Sequence, residues 1–221
     1  KVCFFKPESN LNPLAIELYE ANILGCARQF RYTTANTNTI DMVLSVNGIP
    51  VVALELKNQL TGQDYVCAIN QFKHDRSSKE FAFRLNHRFL VYFAVDLYEA
   101  WMTTRLADGG TRFLPFNQGS NGAGVTGGAG NPQNPNGYAT SYLWEEVLQR
   151  DSLLDLIHRF ISFVKEKEEV VKNGVTKTVT KEKMIFPRYH QYEVVRKIMA
   201  DVRENGVGTN YLIQHSAGSG K

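Results

Sequence analysis

Two acidic residues and a lysine stand where they could do phosphate chemistry. Asp41 lies in the apolar run over residues 40–46 (Ile-Asp-Met-Val-Leu-Ser-Val), and Glu55 and Lys57 lie in the run over 50–57 (Pro-Val-Val-Ala-Leu-Glu-Leu-Lys). Two carboxylates on one face make a site for a hard cation. Magnesium needs only one or two carboxylates, keeps several waters and takes substrate phosphate as well. Such a cation turns water into a nucleophile and neutralises charge on a phosphodiester. A neighbouring lysine holds the attacking water or stabilises the pentavalent phosphorus. Asp41, Glu55 and Lys57 are thus a minimal kit for phosphodiester hydrolysis. The bland alternative is a hairpin with a structural Glu55–Lys57 ion pair and a solvated Asp41.

Whether the kit assembles depends on strand register. Both apolar runs read as strands, and Asn47-Gly48 between them is a strong hairpin signal. Side chains alternate along a strand, so Glu55 and Lys57 share a face about 6 to 7 Å apart. Val51 and Ala53 are expected on that face, with Val52, Leu54 and Leu56 on the other, so the strand should be buried on both sides. A two-residue Asn47-Gly48 turn would pair Asp41 with Leu54, on the wrong face. A three-residue loop with Gly48 left-handed and a bulge pairs Asp41 with Glu55, and this is the expected register. Pro50 donates no ladder hydrogen bond, which suits a bulge.

The flanking elements follow from periodicity. Residues 10–30 read as a helix and 64–76 as another; 88–95 are a nearly continuous apolar run, as in a buried strand. Residues 113–116 suggest a short strand. Seven of the seventeen glycines fall in 117–137, a loop by composition. Helical spacing returns over 144–164, where Leu148, Leu153, Leu156, Ile157, Phe160 and Phe163 would make one stripe. Residues 165–183 read as a linker or an exposed hairpin.

These stretches carry a family resemblance. Residues 40–44 (Ile-Asp-Met-Val-Leu), 47–50 (Asn-Gly-Ile-Pro) and 54–58 (Leu-Glu-Leu-Lys-Asn) resemble the PD-(D/E)xK nuclease core. More narrowly, they resemble the restriction subunit of type I restriction–modification enzymes. Residues 27–32 (Ala-Arg-Gln-Phe-Arg-Tyr), 68–72 (Ala-Ile-Asn-Gln-Phe) and 138–159 agree with it. The resemblance implies Asp41 and Glu55 as ligands of Mg²⁺, with Mn²⁺ as substitute, and Lys57 as the catalytic lysine. It implies that Gln71, from a Gln-x-x-x-Tyr motif, helps orient DNA. Asp75 stands where that motif has Tyr, and Ile40 where the family has Pro before the Asp. The fold implied is α/β, a restriction-endonuclease-like mixed sheet flanked by helices.

The C-terminal stretch carries a second set of motifs. Residues 211–215 read as a short strand running into Ser216-Ala217-Gly218-Ser219-Gly220-Lys221. This matches the end of a P-loop, whose backbone N–H groups cradle phosphates; His215 replaces its first Gly. Upstream, 186–192 are similar to the adenine-reading motif of superfamily 2 helicase-like ATPases, with Gln191 as the reading residue. Type I restriction subunits have such a motor after the nuclease domain. The expected organisation is therefore a nuclease domain over 1–165, a linker or hairpin over 166–184, and the start of a RecA-like motor domain over 185–221. Gln191, Gly218, Gly220 and Lys221 would bind ATP. The chain stops inside the loop motif, so a piece of a longer protein is expected.

Composition narrows the rest. Of 221 residues 43% are hydrophobic and 21% charged, which is globular, and the net charge of +3 gives no global field for nucleic acid. DNA contact must come from local cations, for which Arg28, Arg31, Lys73 and Arg76 are the candidates. Three scattered cysteines make neither a zinc ribbon nor a disulfide framework, and a reducing, cytoplasmic setting is expected. No apolar run approaches the roughly 18 residues of a membrane span. The expected partners are duplex DNA and, from the resemblance, methyltransferase and specificity subunits. A catalytically inert docking module for a DNA motor is the alternative from a different functional class.

Overall fold

A computed structural model describes residues 3–172 and 175–215. Six strands form one mixed sheet in chain order: β1 (Leu24–Arg31), β2 (Thr39–Val46), β3 (Ile49–Leu56), β4 (Val91–Val95), β5 (Ala100–Thr103) and β6 (Leu114–Pro115). Every neighbouring pair is antiparallel except β3 and β4. A parallel pair needs a crossover, and the chain between them supplies one in helix α2 (Tyr65–His74). Phe72 of α2 packs with Ile40, Val43, Ala53 and Tyr92 on one side of the sheet. Val52, Leu54, Phe93, Leu143, Leu154, Phe186 and Tyr189 form the core on the other side. Covered on both faces, β4 is buried at every position, which is why its sequence is apolar without alternation. This is the mixed sheet flanked by helices that the sequence predicts.

Several elements differ from the sequence reading. The helix predicted over 10–30 stops early: α1 spans Pro13–Glu20, and the next eight-residue element is β1. Buried Asn22 ends it, donating its side-chain amide to the carbonyls of Tyr19 (2.8 Å) and Phe4 (2.6 Å). Ile23, inside the predicted helix, has its side chain 71% exposed, and its backbone bonds to Asn47 instead, accepting from Asn47 N at 2.7 Å. The backbone of β1 is satisfied instead by the ladder to β2. The helix predicted over 144–164 is broken into a π-helical turn (Leu143–Val147), α3 (Arg150–Asp155) and a second π-helical turn (Leu156–Phe160). Gln149 has extended backbone and caps α3 through its side chain, so the helix restarts there. The apolar stripe survives at buried Leu148, Leu153 and Leu156.

Of the two readings of 165–183, the hairpin is the one observed. Strands β7 (Ser162–Lys172) and β8 (Val175–Ile185) pair antiparallel, with cross-strand ion pairs Lys165–Glu182 (2.8 Å) and Glu166–Lys183 (2.5 Å). The Gly/Asn stretch over 117–137 has no helix or strand, yet backbone bonds close it, Gly119 N to Gly130 O at 2.8 Å and Ser120 N to Gly128 O at 3.0 Å.

The segment expected to open a motor domain begins with helix α4 (Tyr189–Asn205). Phe186, Tyr189 and Tyr192 pack in the same core as Phe93 and Phe116. The strand predicted over 211–215 is absent. A strand needs a neighbour to pair with, and Leu212 is instead 95% exposed. No RecA-like sheet is present among the described residues. Gly218, Gly220 and Lys221 lie outside the described residues.

Candidate active site

The hairpin solves the register problem by a route the sequence reading did not take. Asn47 and Gly48 have φ of 51° and 81°, the left-handed pair of a two-residue type I′ turn, and Val46 pairs directly with Ile49. The expected three-residue loop is therefore absent. The extra residue sits further along β3: Ser45 opposes Pro50 and Leu44 opposes Val52, which leaves Val51 bulged. Val51, expected beside Ala53 and Glu55, packs with Val52 and Leu54 instead. Beyond the bulge Met42 opposes Leu54, and continuing that register sets Asp41 opposite Glu55. The outcome is the pairing the chemistry needs, reached by a bulge in the strand and not in the turn.

Asp41 is held at both carboxylate oxygens. Its Oδ2 accepts from the backbone N–H of Leu56 at 2.9 Å, which ties it across the hairpin between Glu55 and Lys57. Its Oδ1 accepts from the side-chain amide of Gln29 at 3.2 Å. Gln29 itself has φ of 48° in the middle of β1, where the neighbouring pairs are Arg28 with Met42 and Phe30 with Ile40. A left-handed backbone at a non-glycine residue costs on the order of 1 to 3 kcal/mol.

Glu55 is fully buried near the end of a central strand. Its Oε1 accepts from the Arg76 guanidinium at 2.8 Å, and Arg76 is only 3% exposed. Arg76 also donates to the Thr39 carbonyl at 2.6 Å and lies over the Tyr32 ring at 5.5 Å. The second oxygen of Glu55 is buried without a hydrogen-bond partner. Burial, and then the Asp41 carboxylate beside it, push the Glu55 carboxyl up to about 8, against the opposing pull of Arg76. The bland expectation of a Glu55–Lys57 ion pair is not met, since the arginine takes that place.

Lys57 follows β3 and is half-buried; its backbone N–H continues the ladder to Val95 O at 2.8 Å. Its ammonium donates to the side-chain oxygen of Gln71 at 2.6 Å. Helix α2 places that glutamine. Asp64 caps the helix by accepting from Cys67 N at 3.1 Å, and Asp96 from the end of β4 accepts from Tyr65 N at 2.9 Å. With the N-terminus fixed and Ala68 and Phe72 buried one turn apart, Gln71 reaches the ammonium of Lys57. Asp75, in the place of the motif Tyr, is the C-cap of α2 and is exposed.

The structure thus gathers Asp41, Glu55, Lys57 and Gln71 around the exit of β3. It does not gather all the proposed DNA contacts. Arg76 is a correction: it was expected among cations meeting DNA but is buried against Glu55, where its guanidinium offsets part of the cost of enclosing that carboxyl. Arg28 is exposed on β1. Arg31 is exposed, its Nε held by the carbonyls of Thr33 (3.1 Å) and Asn36 (3.0 Å). Lys73 is half-buried on α2. Gln191 lies in the first turn of α4, where its side-chain oxygen accepts from Arg188 N at 2.9 Å. Sequence reasoning missed Gln29, whose contact arises from the register of β1 against β2 in a stretch read as helix. It also missed the role of Arg76, which looked like one charge in a run.

The donor set fits a hard cation that keeps most of its water. Two carboxylates converge, one offering a buried oxygen that nothing else satisfies. No group of three or more histidine, cysteine or acidic ligands occurs among the described residues, so a zinc-type cage is not built here. A family model described as the type I restriction enzyme R protein N terminus matches residues 11–111, a span that holds all four gathered residues and Arg76. No curated protein and no solved structure gives a match.

Proposed function

Residues 11–111 belong to the type I restriction enzyme R protein N-terminal family, and from that premise we propose that the chain is a metal-dependent endonuclease acting on duplex DNA. In this reading Asp41 and Glu55 hold one divalent cation, Mg²⁺ or Mn²⁺ in its place. The cation supplies a nucleophile from water at neutral pH and neutralises charge on the scissile phosphate. Lys57, with its ammonium set by Gln71, orients the attacking water or meets the charge that develops at phosphorus. Asp41 is kept in place by Leu56 N–H and Gln29, so the carboxylate does not have to reorganise when substrate arrives. Arg76 holds one Glu55 oxygen and leaves the other facing the site. Hydrolysis is direct, without a covalent intermediate. The observation that supports the reading best is the buried, unpartnered Glu55 oxygen beside the doubly anchored Asp41 carboxylate.

The same reading gives Arg28, Arg31 and Lys73 the task of meeting DNA phosphates, and drops Arg76 from it. In the intact protein, cleavage is coupled to ATP-driven translocation, with Gln191, Gly218, Gly220 and Lys221 contributing to the nucleotide site. Methyltransferase and specificity subunits choose the target. A cytoplasmic setting is part of this reading, since three scattered cysteines form no disulfide framework. No described helix is long and apolar enough to cross a membrane. The test is nicking of supercoiled plasmid with Mg²⁺ or Mn²⁺, beside Asp41→Ala and Lys57→Ala. Metal-dependent nicking lost in both variants is expected; nicking that persists in Asp41→Ala overturns the assignment.

A further inference from the structure

We infer that Gln29 is a positioning residue for Asp41: held opposite it on β1 with a strained backbone, it directs its side-chain amide onto the carboxylate and sets that carboxylate for the cation. The inference rests on the metal-site reading above. Two independent observations carry it. The first is conformational. Gln29 is one of four non-glycine residues with positive φ among the described residues, and it alone stands within a named strand. The register sets Gln29 opposite Asp41, on one face of the sheet, and an outlier that persists there needs something to hold it. The second is the hydrogen-bond chain. The Thr39 hydroxyl donates to Gln29 Oε1 at 2.6 Å, which fixes the amide, and Nε2 then donates to Asp41 Oδ1 at 3.2 Å. With Leu56 N–H on Oδ2 at 2.9 Å, both Asp41 oxygens are directed. Each oxygen keeps a second lone pair for a cation. Partners of this kind, which orient a ligand without touching the metal, commonly govern metal affinity.

The strain gives the test its discrimination. Gln29→Gly accepts the left-handed backbone without cost but removes the amide. A merely structural glutamine, once deleted, would lower stability and leave metal binding to follow folding. A positioning glutamine gives the opposite pattern. Calorimetric titration of MnCl₂ into the full chain is compared for the unsubstituted protein, Gln29→Gly and Asp41→Asn, with Tm recorded in EDTA. The expected result is Mn²⁺ affinity lower by roughly 10-fold in Gln29→Gly, with Tm unchanged or raised by about 2–4 °C. Gln29→Asn, which tolerates the backbone but is one methylene too short, should behave alike. Equal Mn²⁺ affinity in Gln29→Gly and the unsubstituted chain overturns this inference alone. A fall in affinity accompanied by a lower Tm in EDTA overturns it too. Failure of the unsubstituted chain to bind Mn²⁺, or full binding by Asp41→Asn, removes the metal-site reading itself.

Discussion

The buried Glu55–Arg76 pair should break asymmetrically. The two side chains are 0% and 3% exposed and 2.8 Å apart, so neither charge is screened by water. Glu55→Met leaves a guanidinium that cannot give up its proton, and an uncompensated buried charge costs about 3–5 kcal/mol. Arg76→Met leaves a carboxyl that burial lifts to about 8 even beside the arginine; without that cation it is pushed higher still and can take up a proton at pH 9, where the pair in the unsubstituted chain is ionised. Its cost at pH 9 is chiefly the lost charge-assisted hydrogen bonds to Glu55 and the Thr39 carbonyl, about 1–3 kcal/mol. For a chain of this size each kcal/mol moves Tm by about 2–4 °C. Glu55→Met should therefore lower Tm by on the order of 10 °C, and Arg76→Met by less than half as much. The double variant, with apolar volume replacing the pair, should lie above Glu55→Met and close to the unsubstituted protein. Urea and thermal denaturation at pH 9 in EDTA measure all three. Equal losses in the two single variants, or the larger loss in Arg76→Met, would refute the reasoning, because the carboxyl would then be no easier to neutralise than the arginine.

Other expectations follow from the same geometry. The Glu55 carboxyl is raised from 4.5 to about 8 in the folded, metal-free chain. The stability it contributes is present below pH 4.5 and lost as pH climbs to 8, by up to about 1.4 kcal/mol per unit. Urea midpoints in EDTA should fall across that window in the unsubstituted chain, and Glu55→Gln should flatten the fall. Gln71→Ala should leave Tm within about 2–4 °C, since one half-exposed hydrogen bond is worth about 1 kcal/mol. It should nevertheless slow cleavage by roughly 10-fold or more, as Lys57 loses the acceptor that holds it; unchanged cleavage would detach Gln71 from the lysine. Gly48→Ala forces a side chain to φ of 81° and should lower stability by about 1 kcal/mol, read as a lower urea midpoint with metal binding intact.

The cluster at the exit of β3 was easier to read in the sequence than the geometry that assembles it. Asp41, Glu55, Lys57 and Gln71 are legible because hydrophobic strands rarely end in charge, and α2 because its caps and apolar spacing agree. The register was right in its result and wrong in its cause. An Asn-Gly turn is a local signal, whereas a bulge at Val51 follows from how β2, β3 and the core fit together. β1 was read as helix because this edge strand is exposed over residues 26–29, leaving no clean alternation. Gln29 and Arg76 were invisible for a related reason: one depends on a strand pairing in a stretch read as helix, the other on a fold-back that places a surface-type charge against a carboxylate. The strand expected over 211–215 failed because a strand is defined by a partner, and local sequence does not supply one.

The most direct test of the central claim is DNA cleavage in the full restriction assembly, with specificity and methyltransferase subunits, ATP and Mg²⁺, comparing the unsubstituted subunit with Asp41→Ala and Lys57→Ala. If the hairpin residues carry out the hydrolysis, both variants lose cleavage while ATP consumption on DNA continues at the unsubstituted rate. Cleavage retained in either variant would contradict the account and leave the domain a docking module for the motor.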